Sequence, residues 1–341
     1  MKRKSVKLVL ASALLAISTA FLLTAEEKFS GLMFGDYYNV LGNHNTAVEN
    51  QHGFWFRRVY FTYDNKLSDN WKLRFRLELN SPGDFVTKST INPYLKDAYL
   101  SYEKGNHALF FGLINTPTYE KAEEGWGYRA MERTPFDLQG LVSARDLGIG
   151  AKGSFGQDKK ISYSFVFGNG STTKAETNKG KKVYGSLGFK LNSALLLEAY
   201  GDYESADNNK TLYMFQGLAS WKRGKARAGL LYGHKYIKDG NADTTTKVRI
   251  LSAYGVYTAS AKIDLVLRAD RVFDPNANGP AVTYSPFAGT NPMNILLAGI
   301  GWNVAKNVQV IPNLMFVAYD RENGVKPDSD IYGKITLFYK W

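Results

Sequence analysis

The chain contains no cysteine. That excludes disulfides, thiolate metal sites, cysteine nucleophiles and a lipidated N-terminal cysteine. Histidine is scarce, with only His44, His52, His107 and His234. None of them sits in HExxH, and neither a GxSxG elbow nor a P-loop occurs. An enzyme reading is left with a rim His paired with Ser or Asp, for example around His234. A lone strand histidine is far more often a plain polar residue. Asn208, Asp274, Asn276 and Asp320 carry oxygen donors for Ca²⁺, but ordinary turn chemistry explains them better. No cofactor, metal or catalytic residue is expected. A mean hydropathy of -0.29 excludes a helical membrane protein, and beyond residue 25 there is neither a long apolar run nor an amphipathic helix.

The first segment is built differently. Lys2, Arg3, Lys4 and Lys7 precede an uncharged apolar run, Leu8–Ala25, with small residues offering cleavage after Ala20 or Ala25. This is the anatomy of a secretory signal peptide, and residues 1–25 are assigned to it. An uncleaved helical anchor is the alternative, disfavoured because Ser and Thr interrupt the run. Removing the segment lowers the formal charge from +12 to +8, because it carries those four cations and no acid. Nucleic acid is not an expected partner, since export and the interleaving of both charge signs argue against it. The excess reads instead as a bias toward anions in a lumen.

Aromatics make up 14% of the chain, with 22 Tyr and 20 Phe, beside 32 Gly. That composition suits antiparallel β-structure, and barrels with aromatic girdles in particular. In Trp71–Asn80 every second residue is large and apolar (Trp71, Leu73, Phe75, Leu77, Leu79), and the others are Lys72, Arg74, Arg76, Glu78 and Asn80. Alternate strand residues point to opposite faces, so one face is greasy and the other charged. About ten residues also suffice for a tilted strand to cross a bilayer. About sixteen such segments follow one another, from Lys28–Leu41 to Ile331–Trp341. Short connections such as Asn65–Asn70 and Val304–Asn307 alternate with long ones such as Ser81–Pro93 and Asp274–Pro292. The longest gap is Thr118–Arg145. Short turns at one end and long loops at the other are an outer-membrane barrel pattern. Arg57 falls on the greasy side of its strand, which only snorkelling at a rim would explain.

Only helices or closed sheets satisfy their backbone inside lipid. The fold expected is therefore all-β: a transmembrane antiparallel β-barrel forming a single domain over residues 26–341. At about sixteen strands its interior is too wide for side chains to fill. Pore-lining candidates are Arg58, Lys72, Arg74, Arg76, Asp97, Lys152, Lys190, Arg227, Lys235 and Arg268, the arginines solvated by channel water. Glu198, Asp202, Asp264, Asp270 and Lys334 share that wall, and the mixture favours a weak anion preference. Trp55, Trp71, Tyr102, Trp221, Tyr257, Trp302, Tyr339 and Trp341 lie near segment ends and read as interfacial girdles against outer-membrane lipid. The last strand presents Ile335, Leu337, Tyr339 and Trp341 on one face. It resembles the terminal signal through which barrels engage the barrel-assembly machinery.

Several stretches resemble the phosphate-selective porin O and P family. They are Phe56-Arg57-Arg58-Val59-Tyr60-Phe61, Trp71–Glu78, Lys96–Tyr102, Phe111-Gly112-Leu113 running to Thr116-Pro117, Met131-Glu132-Arg133 and Arg145–Gly153. The resemblance implies a sixteen-stranded barrel in the outer membrane of a Gram-negative-type cell, often a homotrimer. It also implies a long third loop folded into the lumen as a constriction. Here that loop would be Thr118–Arg145, with Trp126, Tyr128, Arg129, Glu132 and Arg133 narrowing the pore. Between Thr118 and Asp146 four cations (Lys121, Arg129, Arg133, Arg145) face six acids (Glu120, Glu123, Glu124, Glu132, Asp137, Asp146). A multivalent anion site needs converging donors without competing carboxylates. The expected function is a passive diffusion porin for small hydrophilic solutes with weak, phosphate-like anion preference. The alternatives are a barrel enzyme or adhesin with a plugged lumen, and a secreted glycan-binding β-protein.

Overall fold

Alternating apolar and polar residues build sixteen strands in a computed structural model that describes residues 26–156, 158–276 and 282–341. The assigned signal segment, 1–25, lies outside the described residues. The strands are β1 (Glu26–Gly42), β2 (His52–Lys66), β3 (Trp71–Leu79), β4 (Tyr94–Lys104), β5 (His107–Asn115), β6 (Arg145–Phe155), β7 (Ile161–Gly168) and β8 (Lys181–Lys190). They continue as β9 (Leu195–Ala206), β10 (Lys210–Arg223), β11 (Ala226–Asp239), β12 (Thr244–Thr258), β13 (Ile263–Val272), β14 (Met293–Ala305), β15 (Val308–Tyr319) and β16 (Asp330–Lys340). Each coincides with a segment expected from the sequence. Every strand pairs antiparallel with its sequence neighbours, and β1 pairs β16, so the sheet closes. At the seam Gly31 and Trp341 exchange backbone hydrogen bonds of 3.1 and 3.0 Å. Closure leaves no strand edge unpaired.

The outward face is apolar: Trp71, Phe75, Leu265 and Leu267 are exposed. At the short-turn end Trp71, Trp221, Tyr257, Trp302, Tyr339 and Trp341 are exposed too, and Tyr102 sets its ring edge-on to Trp71 at 5.1 Å. Trp55 departs from the expected girdle. It points inward, stacks on Tyr38 at 3.7 Å and donates to Asp36 at 2.8 Å. The cause is a bulge: Phe34 pairs Arg58 while Gly35 pairs Phe56, so Arg57 is the extra residue. Two residues then oppose one, and alternation slips by one position. Phe54 and Phe56 take the outward positions, and both Arg57 and Arg58 turn inward. Arg57 does not snorkel at a rim; it is 6% exposed.

The inner face is divided. On β2 to β6 it is polar and charged. On β10 to β16 it carries Met214, Leu231, Ile250, Leu297, Ile311 and Met315, all buried. Their cover is the 116–144 segment, with helices α1 (Glu120–Trp126) and α2 (Pro135–Leu138). It packs Trp126, Met131, Phe136 and Leu141 into the same core. The 273–292 connection also turns back, where Tyr284 Oη donates to the Phe56 carbonyl at 3.1 Å and its backbone N–H to Gly83 at 2.6 Å. The lumen is thus dry on one side and wet on the other.

A Cβ at Gly35 would stand 2.3 Å from the Trp55 carbonyl oxygen, whereas one at Gly255 meets nothing within 4 Å. Gly35→Ala should cost about 1–3 kcal/mol by overpacking the bulge. Gly255→Ala should be silent. The temperature at which the folded band shifts on heat-modifiability gels should fall for the first variant alone.

Candidate functional site

A cavity of about 640 Å³ lies between the β2–β6 wall and the 116–144 segment. On the wall, Arg58 Nε donates to Glu78 at 3.0 Å and Lys96 Nζ reaches the other Glu78 oxygen at 2.7 Å. Arg76 pairs Asp97 at 3.0 Å and donates to Thr62 at 2.8 Å, while Arg145 takes the second Asp97 oxygen. The guanidinia of Arg58 and Arg76 both lie over the Tyr60 ring, at 4.9 and 4.7 Å. Lys96 owes its place to a second bulge, where Arg76 pairs Asp97 and Leu77 pairs Leu95. Lys96 and Asp97 thereby both serve the lumen.

The segment answers with carboxylates. Glu120, Glu123 and Glu124 of α1 and Asp137 of α2 line the same cavity. Arg129 lies among them, 3.1 Å from Glu123 and 3.0 Å from Asp137. Burial opposes the charged form of Asp137. Arg129 and Arg133 outweigh it, helped from across the cavity by Arg58 and Lys96, and hold the carboxyl below its usual range. The two linings therefore feel each other's field.

The remaining segment residues tie it to the barrel. Glu132 is 3% exposed, 3.1 Å from Lys334 of β16 and 3.8 Å from Arg57. Arg57 also binds Asp36 at 2.6 and 3.0 Å and donates to the Ala130 carbonyl. Tyr128 donates to Asp264 of β13 at 2.7 Å, beneath the Arg227 guanidinium. Trp126 is buried with its indole N–H on the Glu132 carbonyl at 2.9 Å. Arg133 donates to Thr283 at 3.2 Å and its carbonyl accepts from Arg268 at 2.6 Å.

Of the expected pore-lining residues, Arg58 and Arg76 line this cavity, and Asp97 sits fully buried behind them. Lys72 and Arg74 lie nearer the short turns, paired with Glu103 at 2.5 Å and Asp64 at 2.7 Å. Lys152 is half-exposed, 4.0 Å from Glu120, and Lys190 is exposed at the end of β8. Arg227 and Lys235 face the segment, Lys235 donating to the Leu141 carbonyl. Arg268 corrects the expectation of channel-solvated arginines. It is 1% exposed, paired with Asp270 at 2.9 Å and stacked on Trp126 at 4.9 Å. Arg74 is also held by a carboxylate rather than by water alone. Asp274 and Asp320 are engaged by Arg249 and Arg271. Lys96 and Arg57 were not expected at the site, because period-two reading cannot see a bulge.

Residues 30–213 match the model of the family described as phosphate-selective porin O and P. No curated protein matches the chain. Among solved structures, the anion-selective porin from Comamonas acidovorans is similar at 14% identity and a TM-score of 0.68, covering 93% of this chain and 100% of that one. Outer-membrane expressed OmpT of Vibrio cholerae gives 13%, 0.67, 93% and 98%. The outer-membrane channel DcaP of Acinetobacter baumannii gives 11%, 0.64, 93% and 97%. Identities this low establish a shared fold.

Burial opposes ionised Glu132, but Lys334 and Arg57 outweigh it and hold its carboxyl well below the ordinary value. A carboxylate so depressed stabilises the folded state fully above its unfolded pKa, about 4.3, and loses that contribution as pH falls through the folded value. The tether of the segment should therefore survive from neutral pH to about pH 4 and weaken only below it. Lys334→Met removes one partner of a buried pair and should cost about 3 kcal/mol at any pH above that range. Limited proteolysis within 116–144 reads both effects.

Proposed function

The chain belongs to the phosphate-selective porin O and P family, and from that membership we propose that it is a passive diffusion channel whose path is the cavity between the β2–β6 wall and the 116–144 segment. The barrel resides in the outer membrane. Small hydrophilic solutes cross down their gradient, and the segment sets the size limit as a constriction. No bond is made or broken, and no cofactor enters the reading.

The separation of charge across the cavity carries this proposal. Glu78 is shared by Arg58 and Lys96, and Asp97 by Arg76 and Arg145. The wall so keeps two uncompensated positive charges. Opposite it, Glu120, Glu123, Glu124 and Asp137 outnumber Lys121 and Arg129 by two. Charged rings of one sign select ions strongly, whereas opposed linings select weakly. The reading is a mild anion preference, without the converging free donors that would trap a multivalent phosphate.

A homotrimer belongs to the same reading. OmpT of Vibrio cholerae has been solved in a trimer form. Here an apolar depression of about 790 Å³ on β1, β2 and β16, lined by Tyr37, Phe54, Phe56, Ile335 and Leu337, supports a docking face. Barrel-assembly machinery would engage β16, whose apolar face ends at Trp341.

Planar-bilayer recording under a KCl gradient tests the channel. Stepwise current with a zero-current potential displaced toward that of chloride is expected. Replacing Glu120, Glu123 and Glu124 by Gln should raise anion preference at least about fivefold, since each lumen charge is worth about 1 kcal/mol at such distances in a wet pore. A folded barrel that passes no current would overturn the channel. Unchanged selectivity would remove the segment from the path.

A further inference from the structure

The barrel's excess positive charge is not spread along its axis. Take the seven short turns with two residues on each side, the first two residues of β1 and the last two of the chain. They hold thirteen Lys or Arg and six acidic residues. Counted the same way, the connections of the opposite end other than 116–144 hold ten and twelve. Every short turn carries at least one cation at or beside it: Lys66, Lys104, Lys159, Lys190, Lys225, Lys262 and Lys306. The basic bias read from composition as a property of the lumen is in large part a property of this rim.

The two ends also differ in what surrounds their cations. At the long-connection end Lys181, Lys182, Lys210 and Arg271 are ion-paired within the barrel, and Lys88, Lys174, Lys179, Lys238, Arg321 and Lys326 share that end with a surplus of acids. At the short-turn end, among the described residues, carboxylates pair only Lys66, Lys72 and Lys160. Lys104, Arg223, Lys225, Lys262 and Lys306 are exposed and have no such partner. Lys104 follows outward-facing Tyr102 by two residues and Arg223 follows Trp221 by two, so both continue the outward face of the wall. The shortest turns have two residues (105–106, 224–225, 306–307) and project no more than about 7 Å. Their ammonium groups therefore stay level with the aromatic girdle, at headgroup depth.

We infer that this rim is a docking surface for anionic phospholipid headgroups of the leaflet it meets. The phosphates supply the counter-charges that the barrel withholds there. The long-connection end, with twelve acids to ten cations, has no matching demand. The girdle rings fix the depth, the turn cations choose the headgroup, and the lipid in turn holds the short-turn end to its own side of the membrane. The inference needs the barrel to sit in a bilayer and does not depend on what crosses it.

Four of the six tryptophans, Trp71, Trp221, Trp302 and Trp341, sit in this girdle and report on it directly. The test places the folded barrel in bilayers of equal phosphatidylglycerol and phosphatidylcholine, with bromine on the chains of one lipid or the other. Each basic side chain beside an anionic surface favours it about fivefold. Brominated phosphatidylglycerol should therefore quench severalfold more than brominated phosphatidylcholine. Salt of about 0.5 M, which shortens the screening length to about 4 Å, should erase the difference. The combined variant Lys104→Gln, Arg223→Gln, Lys225→Gln, Lys262→Gln, Lys306→Gln, checked for an unchanged heat-modifiable band, should bring the ratio close to one. Equal quenching by the two lipids in the native barrel overturns the inference. So does a preference that survives the variant. A variant that shifts the zero-current potential while keeping native quenching assigns the rim to permeating ions instead, and also overturns it.

Discussion

A backbone amide inside hydrocarbon has no water to turn to, and everything else in this molecule follows from that constraint. Each strand must be paired on both sides, so the sheet must close, and β1 must find β16 across almost the whole length of the chain. Closure at sixteen strands leaves a bore wider than side chains can fill. The barrel then has a second problem, because so wide a hole is a leak. The 116–144 segment answers it by spending one side of the bore on a dry core. The inner face of β10 to β16 is accordingly greasy, and Ile295-Leu296-Leu297 is apolar on both faces of one strand. The β2–β6 wall, left uncovered, keeps its charges.

Holding a long connection inside a barrel calls for specific anchors, because apolar packing alone would let it slide. The anchors are buried charges: Arg57, held by Asp36 and donating to the Ala130 carbonyl; Lys334, paired with Glu132; and Arg268, held by Asp270 and donating to the Arg133 carbonyl. Such pairs contribute little net stability over an apolar replacement, since desolvation offsets most of their attraction. Their value here is registry. A guanidinium that must find one carboxylate and one carbonyl at once fixes the segment's position, which a methyl group packed among others cannot do. Two of the three anchors join the segment to β2 and β16, the strands flanking β1 at the seam. The 116–144 segment is therefore also fastened across the place where the barrel closes.

The strands were legible in the sequence because their signal is local and repeated. On most strands the apolar side chains facing lipid alternate with polar or small ones, and a two-residue slip at an end alters nothing. The alternation of short and long connections was legible for the same reason. The details of the site were not, because each depends on a break in the period. The bulge at Arg57 turns Trp55 from the girdle into the lumen and brings two adjacent arginines inward. The bulge at Lys96 does the same for Lys96 and Asp97. Read by alternation, Arg57 and Lys96 belong to the lipid face, and their charge is the one clue that they do not. A charged residue on the greasy side of a spanning strand is better read as a displaced register than as a residue reaching for a rim. Arg268 fails differently. Its inward direction was correct, but no local pattern shows which inward positions will be covered by a segment more than a hundred residues away.

The same separation of signs recurs along two directions of the barrel. Across the bore, cations sit on the wall and carboxylates on the segment; along the axis, cations in excess of acids gather at the short turns. In both cases the total is near balance or only mildly positive, so composition alone would predict little. Position converts a small imbalance into a field, because like charges are grouped and opposite ones are kept apart by a cavity or by the thickness of the membrane. Lumen water screens the transverse field only in part, since the buried carboxylates Glu78 and Asp97 hold the arginine heads in place from behind. Were those acids absent, four cations would face one another over a few ångströms, and the wall would have to splay or bind a counter-ion permanently. With them the wall retains a residual positive charge, which under the proposed reading is large enough to favour an anion and too small to hold one.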